Sequence, residues 1–432
     1  MNKITKHPGK LSKLAWPIAA IIALTPGLLV TPVLAQGTIE EVVVTAQRRE
    51  QAIQDVPLSI TAFSSEDLTV RGIDNMDQLR LSVPNMMIAG GGTTGPTSGN
   101  FTMRGIPGVA RYLDGVAQTG SNGSLANIVE LERIEVLKGP QGTLFGKNAM
   151  GGAISMVSRR PGEELAARIS TTVGNFDQRQ VKVNLDLPVT ANFLTKLTYF
   201  TSQKDGYVKT GNEQVQHGDE NDTVIRFDAL WNISNNLSVR FDITNTNSNP
   251  RFANADVLYD VNDAQAFAIQ QQALVTDFTD AQAFGGQEIY RNTSTYAGPG
   301  WQFDSNSYNV TIDWDITDSL SLRSITGSRD YDSAALADLD GTKYQFFEIF
   351  SAADVQEWSQ EIQLISDGDR LDWVVGLYLN STENTNRRFD WQFTGLVYPG
   401  GPLKGLPFRM RNQITENNRE DSSLFFEVNY DL

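Results

Sequence analysis

Only two histidines, His7 and His217, and no cysteine occur in the 432 residues. A thiolate nucleophile, a disulfide framework and a Cys-type zinc site are excluded, and a histidine-built metal or catalytic cluster lacks converging ligands. No enzymatic chemistry or bound cofactor is expected. One loop has a nucleotide-binding look, but Gly142 and Gly146 are separated by three residues, and Lys147 is followed by Asn148. A phosphate-cradling loop needs four intervening residues and then Lys with Ser or Thr. These glycines instead suit tight turns in a crowded interior. Another kind of chemistry is open to Glu41, Val42, Val43, Val44, Thr45 and Ala46. This β-branched run, flanked by acids and glycine, is suited to joining a partner's sheet edge through backbone hydrogen bonds. Its plainer alternative is an ordinary first strand. The formal charge of −16 lacks the basic footprint of a nucleic-acid binder.

The residues ahead of that run follow export rules. Lys3, Lys6, Lys10 and Lys13 form a positive n-region, 14–30 is mostly apolar, and Val33 and Ala35 give the small-residue cleavage pattern. Pro17 and Pro26 interrupt the apolar stretch, which falls short of the ~20 residues of a membrane helix. Residues 1–35 read as a signal peptide whose removal takes the charge from −16 to −20. After Gln36 no segment is apolar enough for a membrane helix, so the mature chain is soluble outside the cytoplasm or crosses a membrane with strands.

From 162 to 432 the texture is of strands. Ile225, Phe227, Ala229, Trp231 and Ile233 oppose Arg226, Asp228 and Asn232. Leu237, Val239, Phe241 and Ile243 oppose Arg240 and Asp242, and the same alternation recurs at 308–316 and 424–432. Period two places each set on one face. Short connections near 188–192, 234–236, 317–319 and 367–369 alternate with long polar stretches at 203–222, 247–305, 332–354 and 381–420. Sorted short and long loops are the pattern of an outer-membrane barrel, and a β-sandwich has no reason to produce it. Trp231, Trp314 and Trp373 lie near the short turns, where an aromatic girdle would sit. About ten antiparallel strands are expected. Residues 53–161 read differently, as a small α/β domain rich in glycine turns, with a capping-box signal at Ser64 and Asp67 and helical turns at 76–83.

Several motifs together carry a resemblance. They are the run 57–63 (PLSITAF), Phe101-Thr102-Met103-Arg104-Gly105, Tyr112-Leu113-Asp114-Gly115-Val116, and the stretch 131–161. That last stretch contains Arg133, Glu135, Lys138, Gly139, Gly142, Gly146, Gly151 and Gly152. Together they resemble the plug domain of TonB-dependent outer-membrane receptors. In that family an isoleucine usually stands where this chain has Met103. The run from Glu41 to Ala46 resembles the TonB box, which pairs with the energy-coupling protein of the inner membrane. Beyond Leu165 the likeness is one of texture alone.

The resemblance implies a signal peptide (1–35), a box segment (36–52), a plug (53–161) and part of a transmembrane β-barrel (162–432). It also implies that Arg104 and Arg133 latch the plug to glutamates on the barrel's inner wall, as buried guanidinium groups need carboxylates. Family barrels close at 22 strands around a plugged lumen. About ten strands would form an open, curved half-barrel, and the chain is expected to be a truncated product, inactive alone. With the box directly after the signal peptide, a transporter is expected, without the additional periplasmic domain of signalling members. The implied setting is the outer membrane and its lipid, with the TonB protein as partner and a scarce small ligand, commonly a ferric siderophore, as cargo. A passive porin or a surface-binding protein is the alternative, though neither needs box or plug. In the 247–305 stretch, Phe252, Tyr259, Tyr290, Tyr296 and Trp301 are candidate ligand contacts. Processing is directly testable: N-terminal sequencing of membrane-fractionated protein is expected to begin at Gln36, and a start far from it would exclude this cleavage.

Overall fold

The computed structural model describes residues 43–44, 51–52, 54, 58–90, 99–120, 129–142, 149–210, 216–251, 291–292, 300–338, 348–368, 370–397 and 407–430. Two short strands come first, β1 (Val43–Val44) and β2 (Gln51–Ala52), paired antiparallel.

An N-terminal domain follows. It contains β3 (Ile60–Ser64), α1 (Ser65–Arg71), α2 (Met76–Leu79), β4 (Met86–Gly90), β5 (Gly99–Met103) and β6 (Ile106–Pro107). After these come β7 (Val109–Leu113), β8 (Val116–Ala117), β9 (Leu131–Lys138) and β10 (Gly152–Ser158). Both helices begin where side chains satisfy free backbone donors. Ser64 and Asp67 form a reciprocal capping box at α1, and Asn75 and Gln78 form another at α2. Helix α2 stops at Leu79, shorter than the two turns expected over 76–83. One sheet runs β3-β9-β10-β7-β8, with β7 parallel to β10, and a second runs β4-β5-β6. The core between sheet and helices is built from Phe63, Leu68, Met76, Leu79, Phe101, Met103, Ile134, Val136 and Ile154.

The wall is one ten-stranded antiparallel sheet. Its strands are β11 (Ala166–Val173), β12 (Arg179–Thr190), β13 (Phe193–Lys204), β16 (Glu220–Ser234) and β17 (Leu237–Ser248). They continue as β19 (Trp301–Thr317), β20 (Leu320–Asp338), β21 (Glu348–Ser366), β22 (Leu371–Val397) and β23 (Pro407–Tyr430). The strands between, β14 (Val208–Thr210), β15 (Gln216–His217) and β18 (Arg291–Asn292), form a small separate sheet. The count of ten and all four short turns match the sequence expectation. The sheet is open, with β11 and β23 at its edges.

Two of the long connections are shorter than expected. Strands β20 and β21 extend through 332–338 and 348–354, and β22 and β23 through 381–397 and 407–420. In β20 and β21 apolar residues run together (Ala334, Ala335 and Leu336; Ala352 and Ala353), and in β22 polar ones do (Thr382 to Arg388), so period two carries no hydropathy signal although the backbone ladder continues.

Alternation decides which face is which. Across six strands, Leu237, Trp314, Leu322, Leu364, Val375 and Phe426 stand in one register row. A parallel row is Leu197, Phe227, Ile243 and Tyr308. Trp231, Trp314, Phe227, Ile225 and Phe426 are exposed on this outer face. A soluble sheet would bury so continuous an apolar band, and facing hydrocarbon stabilises it instead. The opposite face is polar and packs on the N-terminal domain. One hydrogen-bonded rung crosses the whole wall: Ala166, Asp186, Lys196, Asp228, Asp242, Asn309, Gly327, Ser359, Asn380 and Asp421. Phe227→Lys places a cation in the outer band at a cost of about 2–4 kcal/mol near the membrane midplane. The expected outcome is a smaller urea-resistant membrane fraction. Unchanged partitioning would show that this face does not meet lipid.

Candidate functional site: a hairpin gripping the wall

Two dipeptides of the N-terminal domain form tight two-residue turns. Arg104 and Gly105 connect β5 to β6, and Asp114 and Gly115 connect β7 to β8, with partners Met103–Ile106 and Leu113–Val116 closing each hairpin. All four have positive φ: 52° and 78° in the first turn, 50° and 85° in the second. This is the left-handed geometry that Asp-Gly favours, whose twist matches antiparallel strands. At Gly115 a side chain would be strained by φ and would meet Ile325 of β20 at 2.7 Å. The wall yields in turn at Gly327, where an added Cβ would stand 2.4 Å from Val116. The two surfaces interlock where each supplies a glycine.

The turn aims Asp114 into the wall. Its side chain is 7% exposed and accepts from Arg226 at 2.9 Å, with Arg240 at 3.6 Å. Within its own domain Asp114 accepts from the Ser158 backbone N–H at 2.8 Å and its hydroxyl at 2.6 Å. Ser158 Oγ also accepts from Arg226 at 2.8 Å and Arg240 at 2.7 Å. The wall completes the group with Asp228, bonded to Arg240 Nε at 3.0 Å, and Asp242, 3.5 Å from Arg226 and accepting from Asn309. Burial alone would raise the Asp114 pKa. Arg240, Arg226 and the two Ser158 hydrogen bonds more than offset this and hold the carboxyl well below the usual range.

The same hairpin grips at two further points. Thr119, just past β8, donates to Glu357 of β21. Arg111 of β7 is buried and donates to the carbonyls of Gln118 and Gly120, with its guanidinium 5.0 Å from the Phe101 ring centre. Burial and the nearby Arg329 cation draw the Arg111 pKa down to about 10, against the opposing pull of Glu357. A separate contact anchors the exit from the domain. Lys196 Nζ donates to the carbonyls of Arg159 (3.2 Å) and Arg160 (2.8 Å) and lies 3.5 Å from Asp186 and 3.9 Å from Glu130. Glu130 also pairs with Arg168 at 3.1 Å.

Among the described residues, the partners of Arg104 and Arg133 lie within the N-terminal domain and not on these ten strands. Arg133 pairs with Glu135 and Glu132, both at 2.8 Å, and Arg104 donates to Ser59, all inside the N-terminal domain. Arg133 and Glu135 lie two apart on one strand face, so a local partner is nearer than any wall glutamate. The chief ionic latch has the opposite polarity, with carboxylate on the domain and guanidinium on the wall. Lys138 ends β9, Gly139 has positive φ, and Gly151 and Gly152 pack against backbone oxygens of Ile106 and Leu137. Gly142 is open, with no atom near its missing side chain. Gly146 lies outside the described residues, as do Glu41, Val42, Thr45 and Ala46. Phe252, Tyr259, Tyr290 and Tyr296 lie outside them too.

Trp301 begins β19 rather than belonging to a loop, and at 1% exposure presents almost no surface. It stacks on Phe303 with 6.2 Å between ring centres, beside Tyr331, and Arg329 lies over the Tyr331 ring at 4.6 Å. Between the hairpin and β21–β23 lies a cleft of about 920 Å³.

Residues 52–153 match the family model described as TonB-dependent receptor plug domain. This segment is a TonB-dependent receptor plug domain. Among curated proteins, the chain is 31% identical to the pesticin receptor of Yersinia enterocolitica over 140 residues, 31% of this chain and 20% of that protein. It is 26% identical to the ferripyoverdine receptor of Pseudomonas aeruginosa over 155 residues, 34% of this chain and 18% of that one. Similarity of fold reaches further. The ferric yersiniabactin uptake receptor of Yersinia pestis superposes with a TM-score of 0.66 at 16% identity, covering 86% of this chain and 61% of that one. The outer-membrane ferripyoverdine receptor of Pseudomonas aeruginosa gives 0.67 at 14%, covering 89% and 51%. The chain thus matches only part of the length of each of these proteins.

The plug's grip has a pH signature. Because the folded pKa of Asp114 is depressed, its stabilisation is full above the unfolded carboxylate value of about 3.9 and is lost as pH falls through the folded value. Protection of hairpin amides, corrected for intrinsic exchange rate, is expected to hold from pH 7 to about 4 and fall below that. In Asp114→Asn, whose side chain still suits the turn, protection should be lower already at pH 7. Wild-type protection fading between pH 7 and 5 would contradict the pairing.

Proposed function

We propose that the chain is part of an energised uptake receptor of the Gram-negative outer membrane, in which the plug gates passage through a β-barrel. The observation that carries this reading is the plug docked on the polar face of a wall whose other face is apolar, held by a buried ionic latch from one hairpin. A passive porin needs no such occupant, and an adhesin needs no polar interior fitted to one. The cargo class we infer is a ferric siderophore, since a relative and a solved structure named above are receptors for ferripyoverdine and ferric yersiniabactin. Passage requires a barrel completed by strands beyond these ten, because an open sheet edge leaves unpaired donors and acceptors in hydrocarbon.

Energy is supplied through the box. In this reading the segment from Glu41 to Ala46 pairs as an added strand with the TonB protein. Val43 and Val44 already have strand geometry, and pair with Gln51 and Ala52. Coupling would exchange that short internal ladder for an intermolecular one, using the same backbone groups. Proline at position 43 removes one donor and fixes φ. In the receptor carrying a complete barrel, Val43→Pro is expected to abolish accumulation of radiolabelled ferric siderophore while leaving cell-surface binding intact. Normal accumulation would place the coupling segment elsewhere.

A further inference from the structure

The outer face of the wall carries a polar island on β20 and β21. Ser324 stands between Ile312 and Ile362, and the neighbours Thr326 and Gln360 stand between Val310 and Leu379. Ser328 follows on β20, flanked by Tyr308 and Trp358, both exposed on this face. Strand β20 begins at Leu320 and β21 ends at Ser366, each beside a short turn. A tilted strand crosses the hydrocarbon in about 9–11 residues, which puts Thr326 and Gln360 near its middle. Hydrogen bonds hold the island together. Thr326 Oγ1 donates to Gln360 Oε1 at 2.6 Å, and Gln360 Nε2 donates to Ser324 Oγ at 2.9 Å and to the Glu361 carbonyl at 3.2 Å. Both amide hydrogens are thereby used, while Oε1 keeps a second lone pair. The Ser324 and Ser328 hydroxyls have the opposite need. Among the described residues neither of them donates to an acceptor. Acyl chains supply no acceptor and the hydrocarbon holds no water, so an unmet donor there is costly.

Outward donors beside an outward acceptor make this surface complementary to itself. We propose that the island is a contact between two copies of this protein side by side in the membrane, in which the serine hydroxyls of one meet the Gln360 side-chain oxygen of the other. A second copy is the partner whose polar groups necessarily lie at the same depth. Both copies cross the membrane in the same orientation, so a two-fold axis along its normal relates them and the contact is isologous. Polar side chains that bond across an interface hold membrane segments together in this way. Farther along the strands, Asp304, Asp332 and Asp354 stand side by side in the same outward alternation. They oppose the pairing, but through water above the hydrocarbon, where salt screens them. The contact therefore firms as ionic strength rises. The inference rests on the outer face meeting lipid, which Phe227→Lys tests by itself, and it needs neither cargo nor coupling.

The chain contains no cysteine, so an introduced thiol reports without background. Ile362→Cys, exposed beside Gln360 on β21, is treated with a bis-maleimide in isolated outer membranes. A crosslinked homodimer is expected, and adding Gln360→Leu should lower its yield about fivefold, the scale of a hydrogen bond between membrane segments. Leucine suits lipid, so the amount of chain in the membrane fraction should hold, which separates loss of contact from loss of fold. Ser324→Ala should lower the yield as well, and Ser324→Thr, which keeps the hydroxyl, should not. If Gln360→Leu fails to reach the membrane, the two Ser324 variants decide. Added salt should raise the yield. Because the open edges of the sheet can also join copies, Ile169→Cys on β11 is the control, and Gln360→Leu should leave its crosslinking unchanged. No homodimer at Ile362→Cys, a yield that Gln360→Leu or Ser324→Ala leaves intact, adducts with other proteins in its place, equal losses at both cysteines, or a yield that falls with salt would each overturn the assignment.

Discussion

A carboxylate taken out of water must be met by cations, and the way Asp114 is met sets much of the molecule's form. Two arginines on adjacent strands reach it, and each keeps an aspartate of its own wall. That arrangement needs the polar residues of β16 and β17 on the inner face, which fixes their register. The register in turn sends Phe227, Trp231 and Val239 outward. Inner electrostatics and outer hydrophobicity are thus two readings of one pleat, because a slip by one residue would exchange the faces.

The plug hairpin meets this wall with a close fit. A hairpin whose turn has positive φ at both central residues has an abrupt tip, and that tip lets a short side chain reach across. Glycine on each side removes the one atom that would hold the backbones apart, so Val116 sits over Gly327 and Gly115 against Ile325. Steric match and ion pairing reinforce each other here, since the low dielectric that strengthens the pairing exists only if water is kept out.

What the sequence makes legible follows from what its patterns encode. The ten strands and their short turns are legible because lipid on one side and a polar interior on the other enforce strict alternation, as at Ile225–Arg226–Phe227–Asp228. The upper parts of β20 to β22 are not, since adjacent apolar residues such as Ala334 and Ala335, and an unbroken polar run from Thr382 to Arg388, leave no alternation to read although the ladder continues. The glycine-rich motifs locate the plug, and Ser64 and Asp67 locate its first helix. The ionic latch is hidden for a different reason. Arg226, Asp228, Arg240 and Asp242 look in sequence like any polar inner face, and only the pairing of Asp228 with Asp242 brings four charges under one turn. Arg104 and Arg133 attract attention through resemblance, while Glu135 and Ser59, closer partners, answer them locally. Trp301 reads as part of a long polar stretch because its strand begins at that residue, leaving no alternating run before it.

The parallel ladder between β7 and β10 has a consequence for assembly. Neighbouring wall strands pair mostly through short connections, and the β7–β8 hairpin closes over two residues, so these units form from local contacts. Joining β7 to β10 instead requires the intervening chain from β8 to β10 to close first, and Asp114 meets Arg226 across 112 residues. Contacts of such separation reward the chain only after much of its entropy is spent. The plug's own strands and helices close over shorter separations than its ionic contact with the wall. The lock is thus the contact with the larger loop-closure cost, and the local turns are the ones with the smaller.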